Sequence, residues 1–124
     1  MDILIIDDDQ TMAETIADHF PEHKFTVRNN GESASDLLHK WKFDLVITDI
    51  SFPGGGGERI LQEMSTRDTE VIVFTGAHPS NFALYKDLGA HKVISKLHIM
   101  HLIKAVNKFN HNYCREVKLC KVAI

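Results

Sequence analysis

Three aspartates follow apolar runs that have the composition of buried strands. Asp7 and Asp8 come directly after the run at 3–6, and Asp49 follows a second run at 45–48. In an open parallel sheet, ligands collect outside the carboxyl ends of the strands, so these acids are expected to meet in space. Crowded carboxylates repel one another unless a cation shares them, and ligand sets made only of oxygen are typical of Mg2+. The sequence therefore predicts a magnesium site at one edge of a sheet.

Two more residues with useful chemistry stand at predicted strand ends, the hydroxyl of Thr75 and the ammonium group of Lys96. A transferring phosphoryl group needs a nucleophile, neutralisation of its equatorial oxygens and a bridging metal. Asp49 can be the nucleophile, while Asp7 and Asp8 hold the metal. Lys96 and Thr75 would then hold phosphoryl oxygens, although Lys96 could also be a solvated cation and Thr75 could cap its loop. These residues together predict a phosphoryl-acceptor site.

Apolar runs alternate along the chain with segments of helical period, which indicates repeated βα units. We expect strands at 2–6, 24–28, 44–48, 70–74 and 91–95, and helices at about 10–20, 31–41, 57–66, 79–88 and from about 98. Helix boundaries are marked by Asn30 and Pro79 at starts and by Gly89 at an end. The second strand alternates polar and apolar residues, so it is expected at an edge. Right-handed crossovers then predict an α/β fold with a doubly wound five-stranded parallel sheet in the order 2-1-3-4-5.

The composition limits the classes of function. With 124 residues, 44% of them hydrophobic, the chain has the size of a single domain with a real core. A formal net charge of −3 without a basic cluster argues against nucleic-acid binding. No segment resembles a membrane span or a targeting peptide, so a cytoplasmic location is the expectation. The two cysteines, Cys114 and Cys120, are expected to be reduced, and His98 and His101 to lie on the surface without binding metal.

Five groups of residues resemble, in order, the motifs of a response-regulator receiver domain of two-component signalling: Ile5–Asp8, Val46–Asp49 with Pro53 and Gly57, Phe74–Gly76, Gly89–Ala90 and Ser95–Lys96. The resemblance covers residues 1 to about 110. It implies a flavodoxin-like three-layer sandwich and a regulatory role rather than an enzymatic one, apart from Mg2+-dependent self-phosphorylation and self-dephosphorylation.

The resemblance also implies roles for single residues. Asp49 would accept a phosphoryl group from a histidine kinase, and Asp8 and Asp49 would bind Mg2+ directly. Asp7 would bind the ion mainly through water, and the backbone carbonyl of Ser51 would complete the protein ligands. Lys96 would pair with the phosphoryl group.

A further set of positions concerns the readout and lifetime of the phosphoryl group. Thr75 would move toward the phosphoryl group and signal its presence. Ser51 and Ala77 stand where the family tunes phosphoryl lifetime, and both are small, which predicts fairly quick dephosphorylation. The aromatic switch position of the family is Val93 here, and its restricted β-branched side chain cannot act as a swinging ring.

Two further departures from the family lie in loops near the site. Leu97 replaces the family's proline after Lys96, and a cis bond before leucine would cost about 2.5–4 kcal/mol, so a trans bond is expected. The run Gly54–Gly57 has no nucleotide-binding spacing and is expected to form a mobile loop.

The end of the chain leaves three structural alternatives, of which a disordered end is the simplest. Residues 111–124 form an extension that is too short for an output domain, so the predicted domain is 1–110. A continued fifth helix would align residues at coiled-coil intervals, which would suit a homodimer or another helical partner: Ile99, Ile103, Val106, Asn110, Tyr113, Val117, Cys120 and Ile124. Alternatively, Val117–Ile124 could pair as a strand with another chain.

Three functions remain open. The leading hypothesis is a phosphoacceptor in a phosphorelay, which takes its phosphoryl group from a sensor histidine kinase or phosphotransfer protein and signals to a downstream protein by contact. The alternative is a receiver-like adaptor that works without phosphorylation, for which Val93, Leu97 and the glycine run speak. A Mg2+-dependent phosphatase is the third, but Ser51 stands where a general acid is expected.

Overall fold

A computed structural model describes the backbone of residues 1–122 and the side chains of residues 1–116. Its strands are β1 (Asp2–Ile6), β2 (Lys24–Arg28), β3 (Leu45–Thr48), β4 (Glu70–Thr75) and β5 (Lys92–Ser95). Its helices are α1 (Gln10–Asp18), α2 (Gly31–Lys40), α3 (Gly56–Met64), α4 (Phe82–Asp87) and α5 (Ile99–Val122), with a 3-10 turn at Pro79–Asn81. Every predicted element is present, with boundaries that differ by a few residues.

The five strands form one parallel sheet in the order β2-β1-β3-β4-β5. The predicted order and the edge position of β2 are confirmed. The side chains of β1 alternate between the two faces of the sheet, so Leu4 and Ile6 join one apolar cluster while Ile3 and Ile5 join the other. Helices α2, α3 and α4 cover the first cluster and helices α1 and α5 the second, which gives the predicted three-layer sandwich.

Short polar contacts begin and end several of the helices. The Asn30 side chain accepts a hydrogen bond from the Ser33 N–H at 2.8 Å, as its predicted position at the start of α2 requires. Asp9 caps α1 in the same way and was not predicted. Pro79 begins the 3-10 turn rather than α4 itself, and Gly89 follows α4 with a φ of 117°, a value that favours glycine.

Helix α5 passes through Asn110 without a break and continues to Val122. The predicted strand is therefore wrong for residues 117–122, while residues 123–124 lie outside the described part of the chain. The predicted coiled-coil seam is also wrong in its first half, because Val106 is fully buried and Ile99 and Ile103 pack against the domain's own core.

Farther along the helix, the charge of Asp44 raises the pKa of the Tyr113 phenol, so this turn of α5 lies near the start of β3. The side chains of the later seam positions, Val117, Cys120 and Ile124, lie outside the description. Among the described residues, no helix is both long and apolar enough to cross a lipid bilayer.

Candidate functional site

The three aspartates meet at one edge of the sheet. Asp7 is 3% exposed and Asp49 7%, whereas Asp8 is exposed to solvent. One carboxylate oxygen from each residue lies within 4.8 Å of the other two. The structure thus brings together the three acids that the sequence placed at strand ends.

Strand register explains why Asp7 and Asp49 are neighbours. Strands β1 and β3 are adjacent and parallel, and Ile6 pairs with Thr48, so the next residue of each strand is one of the acids. The hydrogen-bond ladder continues one step beyond the strands, because the Asp49 N–H donates to the Ile6 carbonyl at 2.9 Å. Both acids are therefore held by the regular geometry of the sheet.

Backbone N–H groups orient the two buried carboxylates. Oδ1 of Asp7 accepts a hydrogen bond from the Asp9 N–H at 2.9 Å, and Oδ1 of Asp49 accepts one from the Ile50 N–H at 2.7 Å. In each carboxylate the second oxygen, Oδ2, remains available for another partner. The sequence did not indicate these contacts, because every residue except proline offers the same backbone donor.

Lys96 uses both of these remaining oxygens. Its Nζ lies 2.9 Å from Oδ2 of Asp7 and 2.8 Å from Oδ2 of Asp49. Burial alone would lower the pKa of Lys96, but its hydrogen bonds to Asp49 and Asp7 and their charges raise it above its usual value. The alternative of a solvated strand-end cation is therefore wrong for this structure, in which Lys96 joins two buried acids.

The ionised form of Asp7 is still disfavoured by burial, in spite of its hydrogen-bond partners. Burial raises the pKa of its carboxyl above the usual value, although the Asp9 N–H and the Lys96 ammonium act in the opposite direction. The nearby charge of Asp49 also raises it. An additional cation at the cluster would relieve this repulsion.

Thr75 lies beside the lysine rather than on the acids. It is 2% exposed at the end of β4, and its carbonyl accepts a hydrogen bond from the Lys96 N–H at 2.8 Å. Its hydroxyl oxygen accepts one from the Ala77 N–H at 3.1 Å. This is the loop-capping contact that was the alternative for Thr75, and it uses the hydroxyl as an acceptor, so it does not occupy the hydroxyl proton.

The predicted readout position lines an open groove. Val93 is half-buried on β5, and together with Ala77 and Phe82 it lines a cavity of about 430 Å3 between the loops that follow β4 and β5. The Lys96–Leu97 peptide bond is trans, as predicted, and the Leu97 side chain is 86% exposed. The groove beside Val93 is open to solvent.

The glycine run lies on the other side of the acids in close backbone contact with α2. Residues 54–56 have φ values of 86°, 99° and 64°, and the Gly31 N–H donates to the Pro53 carbonyl at 2.7 Å. A Cβ atom at Gly57 would overlap the carbonyl oxygen of Asp49. The glycines thus fit a tight turn against the end of β3, while the predicted mobility of the loop stays a prediction.

The acid cluster fits a hard divalent cation. Its donors are all carboxylate oxygens, two from buried residues and one from the exposed Asp8, and such sets favour Mg2+ over transition metals. Ser51 is exposed in the loop after β3, near enough in sequence to contribute its carbonyl. Asp7, Asp8 and Asp49 would hold the ion, and the ion would neutralise the charge that Lys96 alone balances in this structure.

The sequence model of the response regulator receiver domain family matches residues 3–107. The chain belongs to this receiver domain family. Receiver domains are regulatory modules of two-component systems, and they generally bind Mg2+ at an acidic pocket. The fold and the acid cluster of this receiver domain agree with that assignment.

Known relatives support the family at modest identity. The two-component response regulator ARR12 of Arabidopsis thaliana is 34% identical over 83 residues, which are 63% of this chain and 14% of that protein. A response regulator receiver protein of Anaeromyxobacter sp. is 32% identical over 85 residues, 65% of this chain and 35% of that protein. The receiver domain thus matches only 14% to 35% of the length of its curated relatives.

Solved receiver domains superpose closely. The receiver domain of the Francisella response regulator 1452 gives a TM-score of 0.81 at 24% identity, with 90% of this chain and 98% of that chain covered. The signal receiver domain of a DNA-binding response regulator from Colwellia psychrerythraea 34H gives 0.79 at 29% identity with the same coverage. At 24% identity, the first match supports the flavodoxin-like receiver fold and nothing about a shared role.

Proposed function

We propose that this receiver domain is a phosphoacceptor of a two-component phosphorelay and that Asp49 carries the phosphoryl group. The observation that supports this most directly is the position of Lys96 Nζ, within 2.9 Å of Asp7 and 2.8 Å of Asp49. An ammonium group that already lies between two buried acids can pair with a phosphoryl oxygen when one of these acids is phosphorylated. The donor is the phosphohistidine of a sensor histidine kinase or of a phosphotransfer protein.

The transfer step follows from the contacts of Asp49. Its Oδ1 is held by the Ile50 N–H, which leaves Oδ2, the Lys96 partner, as the attacking atom. A P–O bond forms to this oxygen while the P–N bond to the donor imidazole breaks, and the imidazole leaves with the electron pair and takes up a proton. The Lys96 ammonium then moves from the carboxylate to an oxygen of the phosphoryl group.

Two other groups complete the step. Asp7, Asp8, Asp49 and the Ser51 carbonyl would hold Mg2+, and the bound ion would supply additional charge neutralisation. The Thr75 hydroxyl leaves the Ala77 N–H and donates to a phosphoryl oxygen, which moves the loop after β4. This loop movement is the signal that a downstream protein reads by contact.

The decisive experiment uses Mg2+ with acetyl phosphate as the donor. Intact mass spectrometry is expected to show one added phosphoryl group, which disappears in Asp49→Asn and persists in Asp18→Asn, a control at an exposed carboxylate on α1. Failure of the wild-type protein to gain mass, together with failure to bind beryllofluoride, would leave the phosphorylation-independent adaptor, the second candidate. Val93 in place of the family's aromatic residue and Leu97 in place of its proline favour that candidate. Steady turnover of p-nitrophenyl phosphate would instead indicate a phosphatase.

The small side chains of Ser51 and Ala77 predict a short-lived phosphoryl group. Ser51 is exposed and Ala77 half-buried, so water has room to approach the acceptor from both sides. After removal of acetyl phosphate, we expect loss of the added mass within minutes in the presence of Mg2+ and slower loss in EDTA. A half-life of many hours would contradict the prediction. We also propose a cytoplasmic location, because the protein would have to meet the histidine kinase that phosphorylates it.

A further inference from the structure

Trp41 stands out because it is large, apolar and exposed. It is the only tryptophan of the chain, it directly follows α2, and 65% of its surface is accessible. The backbone N–H of Trp41 donates to the Leu37 carbonyl at 2.9 Å, so the end of the helix fixes the backbone that carries the indole ring. Exposed tryptophans on a rigid support are typical of residues that dominate the energy of a protein interface.

A groove lies on each side of this ring. The first, about 460 Å3 in volume, has an apolar floor of Leu38, Phe43 and Met64. The second, about 300 Å3, is lined by Lys24, Thr26 and Arg28 of the edge strand β2, and it shares Trp41 and Phe43 with the first. Since both grooves share these two rings, a single bound segment can fill both.

Positive charge surrounds the two grooves although the whole chain carries a net charge of −3. Only two acids, Asp2 and Asp68, line them, against five cationic residues: Lys24, Arg28, Lys40, Lys42 and Arg67. The guanidinium of Arg67 donates to the Leu38 carbonyl at 2.7 Å, so this cation is held in place at the groove wall. Lys40 and Lys42 flank the tryptophan in the chain and are exposed.

Trp41 and the first groove are remote from the candidate phosphoryl site. Trp41 precedes β3 while Asp49 follows it, and Asp2 begins β1 while Asp7 follows it. The first groove therefore lies at the opposite end of the same strands from the acids, whereas the second extends to Arg28, whose carbonyl accepts a hydrogen bond from the Asp7 N–H at 3.0 Å. A partner anchored on Trp41 and the first groove leaves the acid cluster open to a phosphoryl donor.

We propose that the Trp41 surface, defined as Trp41 with its two grooves, binds a segment of another protein that is rich in acidic residues. Apolar side chains of that segment would occupy the grooves, and its acids would face the surrounding cations. Charge complementarity selects the acidic segment, because five cations surround the grooves. The apolar floors select leucine-like or aromatic side chains as anchors between the acids. A nucleic acid fits less well, because it would place no apolar side chain over Leu38, Met64 and Phe43.

The proposal is tested with three fluorescein-labelled twelve-residue peptides. The first, the Glu–Leu peptide, has leucines at intervals of three and four residues and glutamates at the positions between them. The second replaces its leucines by serine, and the third replaces its glutamates by lysine. Fluorescence anisotropy is expected to show binding of the Glu–Leu peptide only, and this binding should weaken as NaCl rises from about 0.05 to 0.5 M. The emission of Trp41 should shift to shorter wavelength as its ring becomes buried.

Variants localise the binding. Trp41→Ala, followed by anisotropy, and the double variant Lys40→Glu with Lys42→Glu are each expected to weaken binding about tenfold or more. The matched control replaces two exposed lysines of α5, Lys104→Glu with Lys108→Glu, and should bind as wild type. Circular dichroism confirms that each variant is folded.

Other outcomes would overturn the proposal. These are equal binding of all three peptides, tighter binding of a labelled single-stranded oligonucleotide, an equal loss in the α5 control, or no binding of the Glu–Leu peptide at millimolar concentration. Asp49→Asn should bind the Glu–Leu peptide as wild type does, so this test stands or falls independently of phosphorylation.

Discussion

The two flanks of the acid cluster are built differently. On the side of β3, the glycine run lies in backbone contact with α2 and with the acceptor strand, without room for a single methyl group at Gly57. On the side of β5, Val93 and Ala77 line a groove of about 430 Å3, and Leu97 is 86% exposed. One flank is closed by backbone atoms, and the other is open to solvent.

This difference separates the two tasks of the site. In the proposed function, Asp49 keeps its position while a phosphoryl group arrives, and the closed flank would fix the backbone on which it sits. The proposed signal also needs an element with room to move, and the open groove lies on the flank that contains Thr75 and Val93. The reaction can therefore depend on a rigid half and the signal on an adaptable half.

The sharpest way to break the closed flank is Gly57→Ala. The new Cβ atom would overlap the Asp49 carbonyl oxygen and lie 2.9 Å from the Ile50 side chain, so the β3–α3 connection has to shift. We expect a loss of about 3 kcal/mol in the free energy of unfolding, measured with urea. The control is Gly76→Ala on the open flank, whose Cβ would meet no atom within 4 Å. Equal losses in the two variants would show that the flanks do not differ.

Lys96→Met tests how the two flanks are joined. The lysine reaches from the open flank to Asp7 and Asp49, and its loss leaves two buried carboxylates without a cation. Without Mg2+ we expect a loss of about 2 kcal/mol in the free energy of unfolding, the scale of a hydrogen bond to a charged group.

Added Mg2+ should then stabilise Lys96→Met more than the wild type, because the ion no longer competes with Nζ for carboxylate oxygens. Lys104→Met, at an exposed position on α5, serves as the control. If Mg2+ stabilises both variants and the wild type equally, the lysine and the ion do not share ligands.

Much of this architecture was predictable because a parallel sheet converts sequence position into location. Residues that directly follow strands must gather at one edge, so the positions of Asp7, Asp49 and Lys96 followed from the apolar runs that precede them. Strand order followed from the half-polar pattern of β2 and from the fixed hand of βα crossovers.

Other features were not predictable, because different structures share one pattern. Ile99 and Val106 recur at intervals that suit either a coiled coil or packing on the domain's own sheet, and only the structure distinguishes the two. The contact of Lys96 with both acids depends on side-chain reach. The close approach of Gly57 to Asp49 depends on backbone atoms, which the sequence does not distinguish.

Replacing the buried carboxylate of Asp7, which lies between the two flanks, should have a smaller effect on the free energy of unfolding, and it should be stabilising. Because burial raises the pKa of Asp7 in the folded protein, the ionised carboxyl is less favourable there than in the unfolded chain. Asp7→Asn is therefore expected to increase the free energy of unfolding at pH 7 in EDTA.

The pH dependence checks this sign. As pH falls toward the usual carboxyl value of 3.8, Asp7 takes up its proton in the folded state first, so the advantage of Asp7→Asn should shrink. Urea titrations at pH 7 and about pH 4.5 measure the difference. Asp8→Asn, at the exposed acid, is the control, and a gain for Asp7→Asn that grows as pH falls would contradict the assignment.

The smallest effect is expected where the open flank receives a whole ring. Val93→Tyr adds far more volume than Gly57→Ala, yet the groove beside Val93 has about 430 Å3 and is open to solvent. The free energy of unfolding should change by less than about 1 kcal/mol, since the ring can leave the core without displacing backbone. Tyrosine fluorescence quenching by acrylamide, with and without beryllofluoride, then reports whether the ring moves inward when Asp49 is occupied. A ring whose accessibility is the same in both states would show that room alone does not create a switch, and that the proposed movement of Thr75 would have to be read through the loop backbone instead.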